Sequence, residues 1–183
     1  MNNKKFPRIY SLSTVGIRNH YNSDYRFHPF RTDFVGDSGV GKSIIADVLQ
    51  LILVGEREFK SATDSSSERE ARKLIIERYG YVFLNIAIDT DKFIVIGMYI
   101  SATSIDPFII QANIGLDVFE PLSSPLISED FMSGDEIIDI TNLPERMKES
   151  KQVYAVKLSL NKYHELLEQN KILPIDLKTE GNL

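Results

Sequence analysis

The sequence predicts an α/β fold, a mixed sheet with an antiparallel β-subdomain and flanking helices. Residues 36–43, Gly-Asp-Ser-Gly-Val-Gly-Lys-Ser, satisfy G-x-x-x-x-G-K-[ST] at every fixed position and stand between a short β-like run and a helical run. Lys42 to Val54 then places Ile44, Ile45, Val48, Leu49, Leu51 and Ile52 at helical spacing on more than one face, as in a helix sandwiched inside an α/β core. Tyr81 to Ile88 and Phe93 to Ile100 are β-rich runs joined by Asp89-Thr90-Asp91-Lys92, the pattern of a hairpin.

The remaining elements follow in chain order. Arg8 to Val15 alternates loosely between apolar and polar residues and predicts a strand ending near Gly16. Asn19 to Asp24 is rich in turn formers, and Tyr25 to Phe30 predicts a second strand that Pro29 ends or confines to an edge. Thr32 to Val35 is expected as the strand that feeds the glycine-rich loop. Gly55 is the natural C-cap of the helix beginning at Lys42, and Glu56 to Ser67 reads as an exposed loop. Ser67 and Glu70 form a capping box, which predicts a helix from about Glu68 to Arg78. Phe108 to Ala112 predicts a further strand, Glu136 to Ile140 a short strand and Leu143 to Lys151 a short helix. Val153 to Leu160 predicts a strand, and Asn161 is expected to cap a helix from Lys162 to Gln169, closed by Asn170. Residues 175–183 form a tail without a packing signal.

The glycine-rich stretch carries the chemistry. It is a Walker A motif, whose glycines let successive backbone N–H groups wrap a phosphate at a helix N-terminus. Gly36, Asp37, Ser38, Gly39, Val40 and Gly41 would form the cradle, Lys42 would reach the β- and γ-phosphates, and the Ser43 hydroxyl would ligate Mg²⁺.

Composition sets the outer bounds. The 183 residues suit one domain, and 43% hydrophobic residues supply a core. A net charge of −5 argues against a surface that grips nucleic acid unaided. The absence of cysteine excludes disulfides, thiolate metal sites and cysteine nucleophiles. His20, His28 and His164 lack close metal-ligand spacing and read as surface or satisfied core residues. No apolar run approaches a membrane span or a signal sequence, so the expectation is a cytoplasmic chain with no membrane partner.

Small GTPases share Gly-Asp-Ser-Gly-Val-Gly-Lys-Ser, but here Asn161-Lys162 is followed by Tyr163-His164 rather than by a guanine-reading Asn-Lys-x-Asp, and no D-x-x-G follows the second strand. An arginine-rich lid of the adenylate-kinase kind is also missing. The chain instead resembles the N-terminal ATPase head segment of SMC, RecF and MukB-like proteins, which are ABC-type P-loop ATPases. Ile9 to His20, with Gly16-Ile17-Arg18-Asn19-His20, resembles their opening strand and the turn at the nucleotide's edge. Gly36 to Gly55 resembles their G-x-N-G-x-G-K-S loop and helix, with Ser38 in place of the usual Asn, and Leu74 to Ile100 resembles their passage from a charged helix to a β-hairpin. The MukB-like and bacterial defence relatives also have counterparts of Pro107 to Gln111 and Tyr163 to Leu167.

The resemblance implies a single P-loop NTPase half-domain over residues 1–183, part of a longer head that binds ATP and Mg²⁺. It implies Arg18 beside the base or ribose, and Gln111 in the Q-loop role beside the metal with Ser43. It further implies partners: a C-terminal head segment, a second head in a homodimer, and DNA engaged through the full-length protein in maintenance, repair or defence. The ABC signature, the Walker B aspartate with its catalytic glutamate, and the switch histidine are not evident. Asp89, ending an apolar run, mimics a Walker B aspartate but lacks the glutamate after it. A catalytic base is therefore not assigned, and ATPase activity is expected of the complete protein. The alternatives are a stand-alone nucleotide-binding regulatory module and a degenerate assembly domain without turnover.

Overall fold

The computed structural model describes residues 6–29, 32–33, 41–57, 59, 71–115, 117 and 119–172. The chain opens with β1 (Arg8–Ile17) and β2 (His20–Arg26), a hairpin whose turn places Asn19 in the left-handed region at φ 63°. α1 (Lys42–Val54) follows, then a 3-10 turn at Ala71–Leu74. Next comes a meander of β3 (Tyr79–Asp89), β4 (Lys92–Ser101) and β5 (Ile105–Gln111). A second 3-10 turn (Ser128–Phe131) leads into β6 (Met132–Ser133) and β7 (Glu136–Ile137). α2 (Leu143–Lys151), β8 (Tyr154–Lys157) and α3 (Leu160–Gln169) complete the described chain.

Among the described residues the main sheet has six strands in the order β2-β1-β3-β4-β5-β8, and every pairing is antiparallel. The α/β class holds, but the expected mixed sheet is antiparallel over these residues. Thr32 and Asp33 belong to no strand, and Phe34 and Val35 lie outside the described residues.

The sheet is covered on both faces. Leu12, Ile17, Val82, Leu84, Ile94, Ile96 and Ile109 face α1 and α3. Val15, Tyr81, Phe83, Val95, Phe108 and Ile110 face α2, the β6–β7 hairpin and Phe131. Strands buried on both sides have no solvent face to mark with polar residues, which is why β3 and β4 read as nearly continuous apolar runs. The one fully buried polar side chain in the middle of β3, Asn85, is satisfied: its amide donates to Ser11 Oγ and the Leu126 carbonyl, each at 2.8 Å, and accepts from Leu126 N at 2.9 Å. No helix among the described residues is long and apolar enough to cross a membrane.

α1, α2 and the β3–β4 hairpin stand where the pattern predicts, and Gly55 closes α1 at φ 82° with its N–H on the Leu51 carbonyl. Elsewhere tertiary pairing overrides local preference. β2 occupies the stretch expected as a turn, because an edge strand with one side open to water tolerates Asn22 and Asp24. Of the helix expected to Arg78, the described part forms only the 3-10 turn. Ile75 then bridges Ile17, and Ile76 N donates to the Gly16 carbonyl at 3.1 Å. Ser67 and Glu70 lie outside the described residues. α3 starts earlier than expected, with Ser159 rather than Asn161 as its cap, since Ser159 is extended and its Oγ accepts from Lys162 N at 3.3 Å. Only Glu136 and Ile137 of the strand expected to Ile140 pair, and β8 is shorter than expected.

Candidate functional site

The described end of the glycine-rich loop is the N-terminus of α1. Gly41 caps the helix at φ 84° and ψ 22°, a left-handed conformation natural to glycine, and Lys42 and Ser43 open the first turn. No acidic residue lies in that turn and its cap makes no side-chain hydrogen bond, so the positive end of the helix dipole is not met by a carboxylate of the turn itself. Lys42 is exposed and Ser43 half-buried. Gly36, Asp37, Ser38, Gly39 and Val40 lie outside the described residues.

The β1–β2 hairpin is pressed against this end. A β-carbon on Gly41 would stand 2.7 Å from His20 Nε2 and 2.9 Å from Asn19 Cβ, so only glycine fits. His20 Nε2 lies 2.9 Å from the Gly41 carbonyl oxygen, which also accepts from Ile44 N at 3.1 Å and Ile45 N at 3.4 Å. A carbonyl only accepts, so Nε2 carries the proton. The other ring nitrogen, Nδ1, meets the Tyr25 hydroxyl at 2.5 Å. His20 is 8% exposed, a buried side chain with both ring nitrogens engaged.

Gly16 explains how His20 comes to face α1. Strict alternation would send Val15 and Ile17 to one face, yet Val15 packs on the α2 side and Ile17 on the α1 side. Between them Gly16 adopts φ 70°, which turns the end of the hairpin and carries His20, the partner of Ile17, over Gly41. From the opposite face Asp24 anchors the hairpin, accepting from Ser13 Oγ at 2.5 Å, Ser128 N at 2.9 Å and Ser128 Oγ at 2.8 Å.

Arg18 is exposed in the hairpin turn, with its backbone N–H on the Leu74 carbonyl at 2.8 Å, next to the Asn19 that touches Gly41. The fold therefore gathers Arg18, Gly41, Lys42 and Ser43 at one end of the sheet.

Gln111 is a correction. It sits in β5, separated from β2 by β1, β3 and β4, a lateral distance of roughly 19 Å at the usual ~4.8 Å strand spacing. It also lies level with Ile94, Ile86 and Ile9, at the end of the sheet away from Ile17 and His20. A direct metal contact alongside Ser43 is out of reach. Its buried amide instead donates to the Gly115 carbonyl at 2.6 Å and closes the turn after β5.

The Walker B mimic is equally remote. Asp89 stands exposed at the β3–β4 turn, also at the far end, and accepts from Thr90 N at 2.7 Å. Glu129, Asp130, Asp135 and Glu136 belong to the 3-10 turn and hairpin packed on the α2 side, with the sheet between them and α1. No group of three or more metal-ligating side chains occurs among the described residues. That leaves the Walker A expectation untouched, since Mg²⁺ in such a site rests on one hydroxyl, phosphate oxygens and water.

Sequence reasoning missed His20 and Tyr25. Nothing local links residue 20 to residue 41; the one signal was a glycine at position 16, the only glycine in that strand. The chain matches no family model, and no curated protein matches it.

Proposed function

We propose that this chain is the ATP-binding N-terminal half of an SMC, RecF and MukB-like, ABC-type P-loop ATPase head, acting in the cytoplasm. One observation carries the reading: a complete Walker A sequence runs into α1, with Gly41 as a left-handed cap and Lys42 and Ser43 in the first turn. Those residues fit a nucleotide phosphate with Mg²⁺: the glycine leaves no β-carbon in the way, the lysine supplies a positive charge and the serine a hydroxyl. The order of hairpin, α1 and a second hairpin agrees with the stretches on which the resemblance rests. ATP turnover then awaits a C-terminal head segment and a second head, and the full-length protein couples it to DNA.

Titration of a labelled ATP analogue with Mg²⁺ tests the reading. Wild type binds, Lys42→Ala binds at least about tenfold more weakly through loss of the phosphate charge, and Ser43→Ala chiefly loses the Mg²⁺ dependence. Equal affinity in wild type and Lys42→Ala would refute it.

A further inference from the structure

The Gly41 carbonyl and the Lys42 N–H belong to one trans peptide and so point in opposite directions. Whatever fixes the oxygen fixes the aim of the first helical N–H, the one leading into the candidate phosphate site. Two of the three groups on that oxygen, Ile44 N and Ile45 N, come from α1 itself. The third is His20 Nε2, from a different element.

We propose that His20 is a positioning residue for bound nucleotide, donating from Nε2 to the Gly41 carbonyl so that the Gly41–Lys42 peptide at the start of α1 is held against the β1–β2 hairpin. The proposal rests on the ATP-binding reading above. Its geometry is tightly constrained. Tyr25 turns the ring at Nδ1, and in the neutral ring its hydroxyl donates there, leaving the proton on Nε2. Asn19 and His20 leave no room for the loop end to move toward the hairpin. Gly16 aims the ring at this face, and Asp24 ties the hairpin to Ser128 on the other. A histidine serving only as core filler needs none of these directional bonds.

The test separates donor from filler. On the full chain, a fluorescent ATP analogue with Mg²⁺ is titrated against wild type, His20→Ala and His20→Gln, with far-UV circular dichroism confirming that each is folded. Loss of one well-made hydrogen bond predicts about tenfold weaker binding for His20→Ala, and the glutamine amide, a donor at similar reach, restores it to within about threefold of wild type. The ring ¹⁵N spectrum, recorded without nucleotide, shows His20 as the Nε2–H tautomer. Wild-type affinity in His20→Ala, no rescue by glutamine, or an Nδ1–H tautomer each overturns the proposal. If His20→Ala does not fold, Tyr25→Phe takes its place: the ring loses one of the two bonds that orient it and affinity drops by about threefold or more, whereas unchanged affinity overturns the proposal. Wild type that binds no better than Lys42→Ala refutes the ATP-binding reading instead, and the tautomer alone then decides whether His20 holds Gly41.

Discussion

The Tyr163 hydroxyl donates to the Ile52 carbonyl at 2.6 Å, joining α3 to the last turn of α1 across 111 residues of sequence. Both groups are buried, and the last carbonyls of a helix lack partners within it. Tyr163→Phe keeps the ring and deletes the bond, leaving a buried acceptor. We expect a loss of about 1–2 kcal/mol in urea unfolding. No change in midpoint would mean that the carbonyl finds another partner.

Alkaline pH should unfold the protein through its buried tyrosines. Burial pushes the phenols of Tyr163, Tyr81 and Tyr99 above the ordinary tyrosine value, and the Asp139 carboxylate adds to the effect at Tyr81 and Tyr99. Above about pH 10 the unfolded chain releases these protons while the folded chain keeps them, so the unfolded state gains. The stability they contribute is whole below about pH 10 and is lost as pH rises toward the raised folded values. Denaturation midpoints at pH 8, 10 and 11 test this, with Tyr163→Phe expected to flatten the fall. A midpoint unchanged to pH 11 would contradict it.

Gly16→Ala should damage both fold and site. A β-carbon there would stand 2.6 Å from Ile137 Cδ1 and 2.8 Å from the Tyr79 backbone oxygen, at a φ of 70° that side chains resist. Destabilisation of about 2 kcal/mol or more follows from the left-handed conformation plus the backbone clash. Nucleotide binding should weaken as well, since this turn aims His20. A stable variant that retains its binding would show that the hairpin end can be rebuilt without it.

Hydrolysis by the lone chain should be very slow. In-line attack needs a group to orient water and a stabiliser for developing charge, but Asp89 lies at the far end of the sheet and the carboxylates at 129, 130, 135 and 136 belong to elements packed on the face away from α1. We expect phosphate release below about 0.01 s⁻¹, far under the usual enzyme range. Turnover of about 1 s⁻¹ or faster, abolished by Lys42→Ala, would contradict the half-site reading.

Elements whose pattern reports their own surroundings were legible in the sequence. α1 shows its helical spacing and its glycine cap, and β3 and β4 show burial on both faces. Elements decided by distant neighbours were not. β2 is polar and takes its register from β1, while the stretch ending at Arg78 carries a helix signal that pairing of Ile75 with Ile17 overrides. The same division runs through the site. Gly41, Lys42 and Ser43 announce themselves as a motif, whereas His20 acquires its place only when the hairpin closes onto α1.

The position of β1 between β2 and β3 orders the assembly of the molecule in time. β3, β4 and β5 join through short turns, but pairing Ile9 with Ile86 must first close a loop containing the whole glycine-rich stretch and α1. Loop closure of that length is an entropic cost met before any contact rewards it, so the meander should form early and the β1–β2 hairpin dock late. Pulsed hydrogen exchange during refolding should protect amides of β3 and β4 before those of β2. The candidate phosphate site spans the late seam, and nucleotide capture would accordingly be the last property the folding chain acquires and the first that partial unfolding removes.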